Sequence, residues 1–169
     1  MKVCVIGGSG FLGSFVCDFL TKKGSYVKIF DKKKSKFLKK KQKMVIGDIT
    51  NFSLLKKELK KMDIVYNFAG LSNLEYATQK PFETIKYNIQ GLTNILEACR
   101  INKVKRFIQA SSIYALSEDG GFYSCSKRSG EDYIREYQKK YKLNFTILRY
   151  GSIFGLRSDE NNGLYKIIE

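Results

Sequence analysis

Histidine and tryptophan are absent from this 169-residue sequence, and proline occurs once. Without histidine, no Ser–His–Asp triad and no histidine-bound metal site can form, so any acid–base chemistry must use Tyr, Lys, Asp, Glu or Cys. The four cysteines lie far apart and form no CxxC pair, which argues against a disulfide framework or a metal site. Cys4, Cys17 and Cys99 lie among apolar residues, where cysteine is usually a small buried hydrophobe. We predict no bound metal.

Long hydrophobic runs are also missing. No apolar stretch approaches the roughly 18–20 residues needed to span a bilayer. The N-terminal segment MKVCVIGGSGFLG is apolar, but glycines interrupt it where the apolar core of a signal peptide would continue. We interpret this segment as a buried strand, and we predict a cytoplasmic protein with no membrane partner.

Acidic residues are scarce relative to basic ones: 16 against 31, for a formal charge of +15. The excess is almost entirely lysine, and the densest stretch, residues 32–43, contains one aromatic side chain, Phe37. Base recognition and bidentate phosphate contacts depend on arginine and stacking aromatics. We interpret the charge as a solvated, lysine-biased surface and predict no nucleic-acid partner.

Short apolar runs alternate with segments that have helical periodicity. This alternation predicts a single α/β domain over residues 1–169, a Rossmann-like, doubly wound parallel sheet in three layers. Ligands of such sheets bind beyond the carboxyl ends of the strands. The predicted strands are Lys2–Ile6, 26–30, 44–46, 63–68, 105–110 and 144–150, and the predicted helices are approximately 11–20, 51–61, 81–100 and 123–141. Apolar residues expected to face inward are Phe11, Leu12, Phe15, Val16, Phe19 and Leu20 in the first helix, and Ile85, Ile89, Leu92, Ile95, Leu96 and Cys99 in the third.

Gly7, Gly10 and Gly13 lie between the first strand and the first helix, with Phe11 and Leu12 inside the motif. The first glycine permits a tight turn, the second lets the backbone approach a pyrophosphate, and the third lets the helix pack closely on the strand. The N-terminus of the helix offers free N–H groups and the positive end of its dipole. We predict that this turn binds the diphosphate of a dinucleotide.

Asp31 closes the second strand, 18 residues beyond Gly13. A carboxylate at this place accepts hydrogen bonds from the ribose hydroxyls of adenosine and repels a 2′-phosphate. We therefore predict NAD as the cofactor, although the lysines at 32–34 leave NADP open as an alternative.

The GxxGxxG spacing, together with Gly47-Asp48-Ile49 and Asn67-Phe68-Ala69-Gly70, resembles the NAD-dependent epimerase/dehydratase family of extended short-chain dehydrogenases/reductases. The resemblance implies that Asp48 and Ile49 contact the adenine. It implies that Asn88 lies beside the active site, and that the path toward the nicotinamide is lined by Phe68, Ala69, Gly70 and Leu71. A structural alternative for Asp48 is the N-cap of the next helix, a role that Thr50 could fill equally well.

Tyr123 and Lys127 form a YxxxK pattern after the fifth strand, and residues four apart share one face of a helix. A tyrosine is a poor base at neutral pH, and the lysine ammonium together with a positive nicotinamide ring favours the phenolate. Lys127 can also hydrogen-bond the nicotinamide ribose. Ser111 or Ser112 would hydrogen-bond the reacting group, and we favour Ser112, with strand-end capping as the structural alternative. The predicted catalytic set is Ser112, Tyr123 and Lys127.

Residues 148–155 resemble the family's LRYxNVYGP segment, which implies that Gly151 lies near the nicotinamide. Ser152 replaces the usual Asn of this segment. The family's 4,6-dehydratases place Asp-Glu directly after the catalytic Thr, whereas Ile113 and Tyr114 follow Ser112 here. The resemblance therefore favours a sugar epimerase over a dehydratase.

Family members continue well beyond 169 residues, into a smaller C-terminal domain that grips the nucleotide of the substrate. We therefore expect an incomplete chain from which that domain is absent. The function predicted is an NAD-dependent nucleotide-sugar epimerase or related sugar oxidoreductase. By the resemblance it dimerises with a second copy through the helices near 81–100 and 123–141. The alternative is a non-catalytic NAD(P)-binding module with a regulatory or scaffold role, or an inactive fragment of such an enzyme.

Overall fold

The computed structural model describes residues 1–158. Residues 159–169, the C-terminal end of the predicted domain, lie outside the described residues. The strands of the described part are β1 (Lys2–Ile6), β2 (Tyr26–Asp31), β3 (Gln42–Ile46), β4 (Ile64–Asn67), β5 (Arg106–Ser112) and β6 (Phe145–Tyr150). The α-helices are α1 (Phe11–Lys22), α2 (Phe52–Glu58), α3 (Leu74–Gln79), α4 (Pro81–Thr84), α5 (Leu92–Ile101) and α6 (Gly121–Tyr141).

The six strands form one parallel sheet in the order β3-β2-β1-β4-β5-β6. The chain moves outward from β1 to β2 and β3, and then returns to β4 on the other side of β1. This reversal opens a crevice at the carboxyl ends of β1 and β4, which is where open α/β sheets bind ligands. The predicted Rossmann-like fold is confirmed.

Apolar side chains cover the sheet on both faces. The helices α2, α5 and α6 pack on one face, where Leu55, Leu96 and Ile134 are almost completely buried together with Phe30 and Phe107. The helix α1 packs on the other face against β1 and β2. Cys4, Cys17 and Cys99 are buried as predicted, and Cys125 is exposed.

The prediction for the inward face of α1 is wrong for Phe15 and Phe19, which are 41% and 60% exposed. The buried face of α1 consists instead of small residues followed by one leucine: Gly13, Ser14, Cys17 and Leu20. The close approach of Gly13 to the glycine turn determines this orientation. Because residues four and seven positions further along a helix share its face, Cys17 and Leu20 then point inward.

The predicted helix over 81–100 is interrupted. A π-helical segment, Ile85–Gly91, lies between α4 and α5. A π turn includes an additional residue and therefore shifts which side chains face the core. Ile85, predicted to point inward, is 54% exposed, whereas the polar Asn88 is buried. Beyond the π segment the prediction holds, since Leu92, Ile95, Leu96 and Cys99 are buried.

Two short elements were not predicted: α3 and a 3₁₀ turn at Ile113–Leu116. The side chain of Asn51 caps α2 by accepting the N–H of Leu54, so neither Asp48 nor Thr50 has the N-cap role considered for them. Among residues 1–158, no helix is long and apolar enough to cross a membrane. The same residues contain no cluster of three or more His, Cys, Asp or Glu side chains that could hold a metal ion.

Candidate active site

The glycine turn between β1 and α1 has the geometry of a phosphate-binding loop. Gly7 has a φ of +76°, and a Cβ at this residue would lie 2.6 Å from the backbone nitrogen of Ala69. A Cβ at Gly13 would lie 2.3 Å from the carbonyl oxygen of Gly7. A Cβ at Gly10, by contrast, would meet no protein atom closer than 3.5 Å. Gly10 is the N-cap of α1 and has no side chain to cover the helix end. The space in front of α1 thus fits an anionic group.

Asp31 connects the end of β2 with this turn. Its Oδ2 accepts the backbone N–H of Ser9 at 3.0 Å, and its Oδ1 accepts that of Lys33 at 3.1 Å. The hydroxyl of Ser9 in turn donates to the carbonyl of Lys33 at 2.8 Å. The carboxylate is therefore held at the edge of the crevice, in the position expected for a ribose contact.

Asp48 and Ile49 follow β3 and form the far wall of the crevice. Asp48 accepts two hydrogen bonds from Thr50, from its backbone N–H and from its hydroxyl, each at 2.8 Å. Burial raises the pKa of Asp48, but these bonds and the positive charges of Lys32 and Lys86 outweigh it and hold the pKa below its ordinary value. The Ile49 side chain is buried against Gly91. A Cβ added at Gly91 would lie 2.4 Å from Cδ1 of Ile49.

A cleft of ≈180 Å³ runs between these walls. It brings together eight of the predicted cofactor residues: Gly7, Gly10, Asp31, Asp48, Ile49, Phe68, Ala69 and Gly70. Leu71 also lines it, as do several residues that were not predicted: Ile6, Phe30, Lys32, Gly47 and Tyr87. The predicted cofactor residues that do not line this cleft are Phe11, Leu12, Gly13, Asn88, Tyr123, Lys127 and Gly151.

Tyr87 is the most informative residue that sequence reasoning missed. It lies on the π segment, and the ammonium groups of Lys32 and Lys86 stand 5.1 Å and 5.6 Å from its ring centroid. Lys32 follows β2, so its contact with Tyr87 crosses the cleft from one wall to the other. The only sequence signal was its place next to Asn88, because the extra residue of a π segment leaves no mark in hydrophobic periodicity.

Asn88 connects the cleft with α6. Its side chain accepts the N–H of Leu71 at 2.7 Å and donates to the carbonyl of Leu71 at 3.0 Å. It also donates to the hydroxyl of Ser126 at 2.9 Å. Because Ser126 lies between Tyr123 and Lys127, Asn88 couples the loop after β4 to the helix that carries the predicted catalytic residues.

Ser112 and Tyr123 meet at the end of β5. Their side chains lie close enough for the Ser112 hydroxyl to lower the pKa of Tyr123, which is otherwise enclosed, with the ring of Tyr114 at 6.3 Å in an edge contact. Ser111, the neighbouring alternative, donates its hydroxyl to Glu131 at 2.8 Å. The structure therefore places Ser112, and not Ser111, beside the tyrosine. Ser112 also accepts the N–H of Tyr114 at 3.2 Å, so it caps the 3₁₀ turn as well.

Lys127 lies one helical turn beyond Tyr123 and is partly buried. Its ammonium donates to the carbonyl of Ala110 at 3.2 Å and stands 5.5 Å from the ring centroid of Tyr123. Burial lowers the pKa of Lys127 to about 8, while the negative charge of Glu131 raises it.

The predicted lowering of the tyrosine pKa is not found in the chain alone. Burial raises the pKa of Tyr123 above its ordinary value, and the contribution of Tyr114 acts in the same direction. The neighbouring Ser112 hydroxyl lowers the pKa but does not outweigh them. Gly151, at the end of β6, is exposed, and the nearest side-chain atom to a Cβ there would be Cδ1 of Ile113, at 4.0 Å.

The parallel sheet, the glycine turn before α1 and the acidic residue closing β2 together define a Rossmann-type dinucleotide-binding domain. The family described as "NAD dependent epimerase/dehydratase family" matches residues 3–169. The chain belongs to this family.

The similar proteins include a putative UDP-glucose 4-epimerase of Methanocaldococcus jannaschii, 29% identical over 93% of this chain and 57% of its own length. The UDP-glucose 4-epimerase of Lactobacillus helveticus is 30% identical, over 96% of this chain and 55% of its own length. Among solved structures, UDP-glucose 4-epimerase from Thermotoga maritima, with UDP-glucose, superposes with a TM-score of 0.91 at 27% identity, covering 99% of this chain and 61% of its own. The Thermus thermophilus enzyme, in complex with NAD, gives 0.88 at 26% identity, covering 96% and 60%. The chain thus spans somewhat more than half the length of these relatives.

Proposed function

We propose that this chain binds NAD and takes part in the epimerisation of a nucleotide sugar, with Tyr123 as the acid–base group. The observation that carries the proposal is one continuous path of residues. It begins at the glycine turn, follows the cleft and the loop after β4, and reaches the Ser112–Tyr123 pair through Asn88. The Thermus thermophilus relative in complex with NAD and the Thermotoga maritima relative with UDP-glucose support the two ligand classes.

The cleft residues fit the cofactor by their chemistry. The open space at Gly10 and the N-terminus of α1 would receive the diphosphate, and Asp31 would accept the ribose hydroxyls. Asp48 and Ile49 would contact the adenine. NAD, when bound, supplies a nicotinamide ring that accepts a hydride from a sugar carbon and returns it.

Tyr123 would take the proton of the sugar hydroxyl, and Ser112 would orient that hydroxyl. Because the chain's own groups raise the pKa of Tyr123, the phenolate would depend on positive charge at the occupied site, from Lys127 and the nicotinamide together. Lys127 would also hold the nicotinamide ribose.

The decisive experiment substitutes Tyr123 by Phe. Incubated with NAD and UDP-glucose, the wild-type chain is expected to form the C4 epimer, and Tyr123→Phe to reduce turnover by about 10³-fold while NAD affinity is retained. Tyr133→Phe, an exposed tyrosine on the same helix, is the matched control and should change neither quantity. Full turnover by Tyr123→Phe would exclude the assigned role. NAD binding without turnover of any UDP-sugar by the wild type would favour the non-catalytic alternative.

The assembly we propose is a homodimer, located in the cytoplasm. Exposed apolar side chains on α4, the π segment and α6 support the dimer: Phe82 is 87% exposed, Ile85 54% and Phe122 52%. Sedimentation equilibrium would test it, with Phe82→Asp expected to give a monomer.

A further inference from the structure

Glu131 is a buried carboxylate that the proposed chemistry leaves unused. It lies one helical turn beyond Lys127 on α6 and is 3% exposed. Its Oε1 accepts the hydroxyl of Ser111 at 2.8 Å and Nε of Arg149 at 2.9 Å. Its Oε2 accepts Nη2 of Arg149 at 2.6 Å and Nη2 of Arg135 at 2.9 Å. One carboxylate thus joins α6 to both β5 and β6.

These four bonds determine the charge of Glu131. Burial raises its pKa, but the bonds from Arg149, Ser111 and Arg135 outweigh burial and hold the pKa below its ordinary value. A buried carboxylate with hydrogen bonds on both oxygens stays ionised at neutral pH. The two arginines are themselves partly exposed, at 34% and 41% of their side chains, so water compensates much of their charge.

Lys127 and Glu131 line the same small cavity, which is bounded also by residues of β4, β5 and the π segment. The cavity is lined on β4 and β5 by neutral side chains: Asn67, Gln109 and Ser111. Its titratable lining groups are Lys127 and Glu131 on α6 and Tyr87 on the π segment. Two contacts come from outside the lining. The ring of Tyr123 lies next to the Lys127 ammonium, and the guanidinium groups of Arg149 and Arg135 pair with the Glu131 carboxylate. Within this cavity, as the described residues form it, Glu131 is the only carboxylate.

We propose that Glu131 is a positioning residue for Lys127, and that its carboxylate, held by Ser111, Arg149 and Arg135, is the counter-charge that keeps the neighbouring ammonium protonated. Without such a charge, partial burial would favour the neutral amine. Glu131 would affect the reaction only through Lys127, whose positive charge would favour the Tyr123 phenolate. Its effect on the reaction therefore rests on the proposed function. The charge relation itself is a property of the chain without cofactor or substrate.

The test is a side-chain NMR titration of lysine in the 169-residue chain, with no NAD and no sugar present. The Lys127 signal is assigned by its loss in Lys127→Arg. In the wild type it should titrate near pH 8. In Glu131→Gln, which keeps the size of the side chain but removes its charge, the pKa of Lys127 should fall to about 7.

Two further variants make the result specific. Asp132→Asn removes a neighbouring carboxylate that also pairs with Arg135, at 2.9 Å, but whose side chain is 67% exposed; it should leave the Lys127 titration unchanged. Arg149→Gln removes a positive charge and should raise the pKa of Lys127, which decides the matter if Glu131→Gln does not fold.

A folded Glu131→Gln chain in which Lys127 still titrates near pH 8 would overturn the proposal. If that variant does not fold, an unchanged or lower Lys127 pKa in Arg149→Gln would do the same. Because these titrations need no turnover, a chain that passes them and does not epimerise any sugar contradicts only the proposed function.

Discussion

The two ends of the candidate site are built from different chemistry. At the cofactor end, from β1 to β2, the glycine turn presents backbone, and the Asp31 carboxylate accepts two backbone N–H groups. At the catalytic end, from β5 to β6, side chains meet side chains: Ser112 lies beside Tyr123, and Ser111, Arg135 and Arg149 hydrogen-bond to Glu131.

The difference follows from what each end would have to do. Backbone N–H groups are always present and always polarised, so a turn made of glycines can hold a diphosphate at any ordinary pH. Proton transfer instead requires groups that titrate, and their pKa values depend on burial and on neighbouring charges. We therefore expect variants at the cofactor end to alter affinity, and variants at the catalytic end to alter pH dependence.

Among variants that test this difference between the cofactor end and the catalytic end, the largest effect is expected at Gly10, on the affinity for NAD. In Gly10→Ala the new methyl would meet the Gly7 carbonyl at 3.5 Å, an ordinary contact, but it would occupy the space in front of α1. Calorimetric titration should show NAD affinity reduced by about 100-fold, with the melting temperature unchanged.

The matched control is Gly13→Ala, whose Cβ would lie 2.3 Å from the Gly7 oxygen and would force the backbone apart. This variant should lose thermal stability as well as affinity. Undiminished NAD binding by Gly10→Ala would show that the diphosphate does not lie at this turn.

A smaller effect is expected at Lys127. Burial lowers its pKa from 10.5 to about 8, so between these values the folded chain binds fewer protons than the unfolded chain, and wild-type stability rises with pH. Lys127→Met removes the buried ammonium and should therefore increase the free energy of unfolding below pH 8. The expected gain is about 2 kcal/mol after allowance for the partial exposure of Lys127, and it should decrease toward pH 10.5.

Urea unfolding at pH 7.5 and pH 10 measures this difference. Lys139→Met, at a lysine on the same helix whose side chain is 67% exposed, is the control and should show no comparable pH dependence. If Lys127→Met changed the free energy of unfolding equally at both pH values, the expectation that variants at the catalytic end alter pH dependence would be wrong.

The smallest effect is expected at Asp31. Asp31→Ala removes a ribose acceptor and a charge that repels a 2′-phosphate, so NAD affinity should fall by about tenfold while the preference for NAD over NADP narrows. Asp63→Ala is a close control, since Asp63 also accepts a backbone N–H, that of Lys2 at 2.8 Å, but at the amino ends of β1 and β4 and so away from the cleft. An unchanged NAD/NADP ratio in Asp31→Ala would contradict the role of this carboxylate.

Several of the predicted cofactor residues that line the cleft have a local signal in the sequence. Gly7, Gly10 and Asp31 lie at turns or strand ends, and their spacing along the chain carries the prediction. The choice between Ser111 and Ser112 was harder, because successive residues of a strand point to opposite sides and only packing shows which side holds Tyr123. Glu131 was missed entirely, since Arg149 is 18 residues away and on another element.

The sequence by itself determined the alternation of the six strands with the main helices, the glycine turn and the acidic end of β2, because these depend on residues close together in the chain. Tertiary structure decided which face of α1 is buried, where the 81–100 helix becomes a π segment, and how Glu131 pairs. Each of these depends on which elements pack against one another. Hydrophobic periodicity does not record such choices. A close glycine contact or a buried charge can stabilise the fold more than burying one further phenylalanine would, and Phe19 is accordingly left exposed.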